Sequence, residues 1–239
     1  MRRPTLHILT LTPLFVLSAC GIVFGPRITG SGVLLVKKMG FTEFTSLRIG
    51  SAFEATVTRG DTYRVEVTAD DNLYEYIRVT QEGSALAIYL DNVSVSNATL
   101  KAAITMPLLE GLRASGAADV SITGFKHLDA VAITCSGASY VNGDLEATSV
   151  QLSCSGASEA VLRGIAVDGK IDGSGASSFN LTDFALTNAR VDLSGASSAD
   201  INVTGELHYD LSGASNLRYG GSPHLGARSS SGASSAHTR

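Results

Sequence analysis

The side chains best placed for chemistry are three aspartates. Asp172, Asp192 and Asp210 each stand three residues ahead of the glycine of a Ser-Gly-Ala triplet. On stacked strands such a column brings carboxylates within about 5 Å, where like charges raise each other's proton affinity. A cluster of that kind could cleave a polysaccharide by general acid–base catalysis, or share a cation between neighbours. A second set, Asp144, Asp183 and Asp200, falls near a later turn of the same units. No Lys or Arg is interleaved at the Asp172, Asp192 and Asp210 positions. The column therefore reads as solvated edge residues, and it is the chain's best binding candidate.

Other chemistries lack partners. His7, His127, His208, His224 and His237 are scattered singly, without Cys or carboxylates at ligand spacing, so no metal site and no cofactor are implied. Calcium-binding coil repeats need Asp where this chain carries Ser. Serine is plentiful, yet no Gly-x-Ser-x-Gly elbow is present, and seven near-copies of Ser-Gly-Ala argue for architecture over a nucleophile. The expectation is a protein that is not an enzyme. Arg59-Gly60-Asp61 spells an integrin-binding tripeptide, but it sits where a turn favours Gly-Asp on its own account. Asn92, Asn97, Asn180 and Asn202 open Asn-x-Ser/Thr triplets, acceptors only in a eukaryotic secretory path.

Composition narrows the classes further. Lys and Arg number 18 against 22 acidic residues, and no basic stripe is visible, which argues against a nucleic-acid partner. Apolar residues make up 44% of the chain, enough for a core, and their regular spacing argues against disorder.

The first twenty residues read as an address. Arg2 and Arg3 precede an apolar stretch from Leu6 to Val16 that is too short to span a bilayer. Leu17-Ser18-Ala19-Cys20 follows and resembles the bacterial lipoprotein box. That resemblance implies cleavage of a signal peptide, residues 1–19, and acylation of Cys20 as the mature N-terminus. Gly21 stands where inner-membrane retention would favour Asp, which implies the outer membrane in a host with two membranes. Residues 20–40, with Pro26 and several glycines, read as a flexible tether.

The elements that would position the aspartates come from a repeat. Ser-Gly-Ala recurs with its glycine at 116, 137, 156, 175, 195, 213 and 232, a period of 18 to 21 residues. A period this short favours strands over helices and means one unit stacked on copies of itself. Apolar residues alternate on either side of each triplet: Ile133 and Cys135, Leu152 and Cys154, Val191 and Leu193 before it; Val120 and Ile122, Ala160 and Leu162, Phe179 and Leu181 after it. A further apolar cluster follows, as in Phe184 and Leu186 or Ile165 and Val167. Three apolar runs per unit predict three short strands and three turns, the coil of a right-handed parallel β-helix. Cys135 and Cys154 should then stack as neighbours within disulfide reach, either bridged or, the favoured alternative, packed as buried thiols in a column that leucines occupy in later coils.

Residues 41–110 are strand-rich without the period. Phe53–Thr58 and Tyr63–Thr68, linked by Arg59-Gly60-Asp61-Thr62, predict a hairpin, and a helical turn is expected at 71–76. The section should form irregular early coils or a cap, and residues 111–239 the repeats.

Several of these segments together resemble the putative autotransporter adhesin, head GIN domain family of bacterial envelope proteins. The likeness rests on the strands from Phe53 to Thr68, on Ala69-Asp70-Asp71-Asn72-Leu73, on Met106-Pro107-Leu108-Leu109 and on Ser115-Gly116-Ala117-Ala118-Asp119-Val120. The later Ser-Gly-Ala-Ser corners and Gly221-Ser222-Pro223 extend it. It runs from about Phe41 to the C-terminus, and implies a single-chain parallel β-helix, secreted or lipid-anchored. It supplies no catalytic residue. Three functions remain to be separated: a surface module binding a ligand such as a glycan, an envelope-sensing lipoprotein contacting another envelope protein, and a polysaccharide-active enzyme.

Overall fold

The computed structural model describes residues 25–239. The signal segment, Cys20 and the first residues of the expected tether lie outside them. Four strands come first: β1 (Arg27–Thr29), β2 (Leu34–Met39), β3 (Ser46–Ile49) and β4 (Glu54–Arg59). β5 (Arg64–Asp70) leads into a single 3-10 turn, Asp71–Leu73, where a helical turn is expected. Then come β6 (Ile77–Glu82), β7 (Ala85–Leu90), β8 (Ser94–Ser96) and β9 (Leu100–Met106). The repeats begin with β10 (Gly111–Ala114) and the long, bent strands β11 (Asp119–Cys135), β12 (Tyr140–Cys154), β13 (Glu159–Gly173) and β14 (Ser178–Leu193). Shorter pieces finish the chain: β15 (Ser198–Val203), β16 (Glu206–Leu211), β17 (Asn216–Gly220), β18 (His224–Ser230) and β19 (Ser235–Thr238).

Each repeat pairs in parallel with the one before it, building a β-solenoid of about 7 turns. Register follows from the alternation, because slipping one residue would turn every inward Ile and Leu to water. Val120, Ile122, Phe125, Ile133, Leu152, Leu162, Phe179, Leu181, Val191 and Leu193 all lie in the core. Cys135 opposes Cys154 in adjacent coils, both buried and unbridged. The contact with Cys154 and then burial push the Cys135 thiol above the ordinary thiol range.

The Ser-Gly-Ala corners need glycine for two reasons. The seven glycines have φ between 70° and 75°, the left-handed region that costs a side chain about 1–2 kcal/mol. They also stack so closely that a Cβ on Gly175 would lie 2.8 Å from the Gly156 carbonyl oxygen. That carbonyl instead accepts the Ala176 N–H at 2.7 Å, and the same bond recurs up the column. The serine after the alanine turns inward. Ser139, Ser158, Ser177, Ser197 and Ser215 are each 1% exposed. Ser158, Ser197 and Ser215 donate to the carbonyl three residues back at 2.7–2.9 Å. These three hydroxyls serve the corner backbone, whereas the Ser177 hydroxyl is buried without a hydrogen-bond partner among the described residues.

The N-terminal section is both an early coil and a cap. β3 and β4 stack on β10 and β11 as a first coil, with Ser51 at φ 62° in the place of the corner glycine. Its carbonyl accepts the Ala117 N–H at 2.6 Å, and its hydroxyl accepts the Leu90 N–H at 3.0 Å. The chain then leaves the coil and returns at Pro107. In between, β7 and β9 stack outside β3 and β4, while β6 pairs antiparallel with β7 and β5 with β9.

Three expectations are corrected. β4 and β5 do not form a hairpin: β9 lies between them, parallel to one and antiparallel to the other. Part of the expected tether is ordered, since β1 pairs with β8 and β2 with β5. Ile165 and Val167 face outward, 53% and 46% exposed, with Ala166 inside. Gly164, at φ 119°, stands opposite Phe184, and Ala166 opposite Leu186, so the larger side chains of the next coil fill the space.

Candidate binding face

Between two inward residues of each pre-corner strand, the middle one must point out. Parallel register strings these middle residues into a ladder: Arg48, Arg113, Thr134, Ser153, Asp172, Asp192, Asp210 and Ser229. The structure thus brings Asp172, Asp192 and Asp210 together on adjacent coils as expected. It also shows that the ladder is graded, basic at the capped end, hydroxylic in the middle and acidic beyond. Thr134, Ser153, Asp172, Ser174, Asp192 and Ser194 line a shallow groove along the corner edge.

The acidic part is partly neutralised from within its own strands. Two residues before each aspartate, on the same outward face, runs a second column of Gln151, Lys170, Arg190 and His208. Lys170 Nζ lies 3.0 Å from Asp172, and Arg190 Nε and Nη2 meet Asp192 at 3.0 and 3.2 Å. The cations are therefore beside the carboxylates in the strand and not interleaved in their column, which is why inspection of the column alone misses them. Among the described residues no group of three or more His, Cys, Asp or Glu side chains could hold a metal ion.

The second set of aspartates divides. Asp144 and Asp183 sit on either side of Arg163 in one column, with Arg163 3.8 Å from Asp183. Asp200 belongs to another column and binds Arg218 through both carboxylate oxygens. His208 contacts Glu206 at 3.0 Å, and its Nδ1 accepts the Ala227 N–H. Arg59 and Asp61 of the Arg-Gly-Asp tripeptide pair with each other at 2.8 Å.

One structural carboxylate escapes a reading of composition and spacing. Asp70 is buried, and its carboxylate accepts the Gly32 N–H and the Thr99 N–H, both at 2.7 Å. The Thr99 amide, then the Gly32 amide, hold this carboxyl below the usual aspartate range. Asp70 thereby pins the β1–β2 loop to the β8–β9 loop. The available signal is the motif Ala69-Asp70-Asp71-Asn72-Leu73, a carboxylate directly after an apolar strand.

Parallel stacked coils, glycine corners and a long outward polar ladder define a β-solenoid. The chain belongs to the family described as "Putative auto-transporter adhesin, head GIN domain", whose model matches residues 43–223. Among solved structures it is similar to a putative adhesin from Bacteroides fragilis NCTC 9343, with a TM-score of 0.82 and 20% identity over 89% of this chain and 100% of that one. A putative lipid binding protein from Parabacteroides distasonis ATCC 8503 has a TM-score of 0.70 at 16% identity, over 89% and 99% of the two chains. A putative adhesin from Parabacteroides merdae ATCC 43184 has a TM-score of 0.68 at 16% identity, also over 89% and 99%. These likenesses establish the fold. No curated protein matches the chain.

Proposed function

We propose that this protein is a non-catalytic binding module, held at the cell envelope by lipid on Cys20, that presents its ladder face to a repeating ligand such as a glycan. The observation that carries the reading is the unbroken outward column from Arg48 to Ser229, one residue per coil, at a fixed spacing of about 4.8 Å. Such a face suits a polymer whose own groups repeat, and family membership supports the same class. Among the described residues no helix is long and apolar enough to cross a membrane. The attachment proposed is the lipid on Cys20, in the outer membrane where the host has one.

The test is a glycan array probed with the full chain and with Ser153→Trp, which blocks the middle of the groove while leaving the core untouched. Binding by the full chain and its loss in the variant support the reading; binding unchanged by Ser153→Trp rejects this face. For the anchor, Cys20→Ser should shift the protein from the membrane fraction to the soluble one. Cleavage of the wild type by an ordinary signal peptidase, leaving Cys20 unacylated, would refute the anchor.

A second reading is favoured by one feature. Ile165 and Val167 make an exposed apolar pair on β13, which suits contact with another envelope protein. Capture of an envelope protein that is lost in Ile165→Ser/Val167→Ser, with no glycan bound, would favour it.

A further inference from the structure

Strand β2 and the residue before it form the most apolar exposed feature of the described surface. Val33, Leu34, Leu35 and Val36 follow one another at 57%, 51%, 43% and 58% exposure. Scattered exposed leucines need no explanation, but four consecutive apolar residues on a strand edge do. β2 pairs on one side with β5, and no pairing joins its other edge to a described strand. Nor is the segment a frayed end. Asp70 binds the Gly32 N–H just ahead of it, and the Tyr74 hydroxyl lies 2.9 Å from the Leu35 carbonyl and 2.6 Å from that of Val67.

The charge around this strand runs against that of the whole chain. No acidic residue occurs between Cys20 and Glu43, whereas Arg27, Lys37 and Lys38 do, in a chain of net charge −4. The nearest carboxylates are engaged. Glu66 meets Lys38 at 3.3 Å, Asp71 accepts from the Ser31 hydroxyl at 2.5 Å, and Asp70 is buried. Lys37 sits 4.1 Å above the Tyr74 ring with its ammonium still positioned at the strand's rim.

We infer that β2 rests on an anionic lipid surface, its apolar side chains at the headgroup boundary and Lys37 and Lys38 facing lipid phosphates. Apolar burial and basic charge together are what hold a protein segment in that boundary. The inference rests on the anchoring proposed above, since seven residues from Cys20 to Arg27 span no more than about 25 Å. A second copy on the same edge would bring three more cations to the three already there, which disfavours self-pairing. Seated this way, the capped end of the solenoid faces the membrane and the graded ladder leads away from it.

The test uses the full chain reconstituted in vesicles of neutral and anionic lipid. Leu34→Cys carries a polarity-sensitive fluorophore; Ser229→Cys, at the far end of the ladder, serves as control. Cys135 and Cys154 are buried and escape labelling. Bromine-bearing lipids should quench the Leu34→Cys label about twofold or more beyond the control, and more on anionic vesicles, as expected of a strand lying at the headgroup boundary. Lys37→Gln/Lys38→Gln should remove the dependence on anionic lipid. Equal quenching of the two labels in vesicle-bound protein would overturn the inference, as would self-quenching at the Leu34→Cys position that ignores brominated lipid. Either result leaves the Cys20→Ser fractionation unaffected, so failure of the anchor and failure of the β2 contact are read separately.

Discussion

In the coils from Gly111 to Ser230, register is held by backbone. Each corner glycine sits near φ 73° and its carbonyl accepts the N–H of the alanine one coil on, with corner serines that recur from coil to coil adding hydroxyl bonds to the same backbone. In the capped section, register is held by single side chains placed once. Ser51 stands in for a corner glycine and binds the Leu90 N–H, Asp70 gathers two loops, and Tyr74 spans β2 and β5. The two halves therefore fail differently. A repeat tolerates change at any one outward position but not at its corner, whereas the cap depends on a few irreplaceable contacts.

The largest effect should come from the corner. Gly175→Val places a branched side chain in the left-handed region and against the Gly156 carbonyl oxygen, 2.8 Å from its Cβ. Urea denaturation should show a loss of about 3 kcal/mol or more, the scale of a mid-core disruption. A loss below about 1 kcal/mol would mean that the corner stack does not hold register.

Next in size is the distal end. β19 and the residues after β18 cover the last coil with mostly polar, exposed side chains, and beneath them lie Leu211 and Leu217. Deleting Ser230 to Arg239 removes β19, should bare the edge of β17 and cause association, visible by light scattering. A deletion variant that stays monomeric and equally soluble would show that this terminal unit does not guard the edge.

The third effect is confined to the cap. Asp70→Asn should weaken the hold on the β1–β2 loop and speed amide exchange in β2, leaving β12 to β14 unchanged. The same contact is pH-dependent. Because the folded carboxyl titrates below its ordinary value of 3.8, its contribution is complete above that pH. It is lost as pH falls through the lower folded value. Protection of the β2 amides, taken relative to their intrinsic exchange rates at each pH, should therefore fall with acid below pH 3.8 in the wild type and stay flat in Asp70→Asn. Uniform acceleration across coils and cap alike would contradict this division.

The same contrast explains what could be read before the structure was known. Alternation placed Ile133, Cys135, Leu152 and Cys154 in the core and stacked the cysteines, because strand parity and a period of 18 to 21 residues leave little freedom. The Asp172, Asp192 and Asp210 ladder followed from the same arithmetic. Lys170 and Arg190 were missed because their pairing runs along the strand at two-residue spacing instead of up the column. Inward parity runs unbroken from Ala160 through Leu162 to Ala166 and changes only after Val167, so Ile165 and Val167 face water although they look like core. The pairing of β9 between β4 and β5 joins residues far apart in the chain, which no local turn signal reports. Ser51 could not be recognised as a corner, since a left-handed serine in one copy carries no repeat.

The claim that this solenoid binds without cutting is tested most directly by mass spectrometry. A polysaccharide retained by the full chain would be incubated with it and its length distribution recorded, alongside Asp172→Ala/Asp192→Ala/Asp210→Ala. The account predicts an intact polymer in both samples. Shortened chains produced by the wild type and absent with the triple variant would contradict it and make the aspartate ladder a catalytic site.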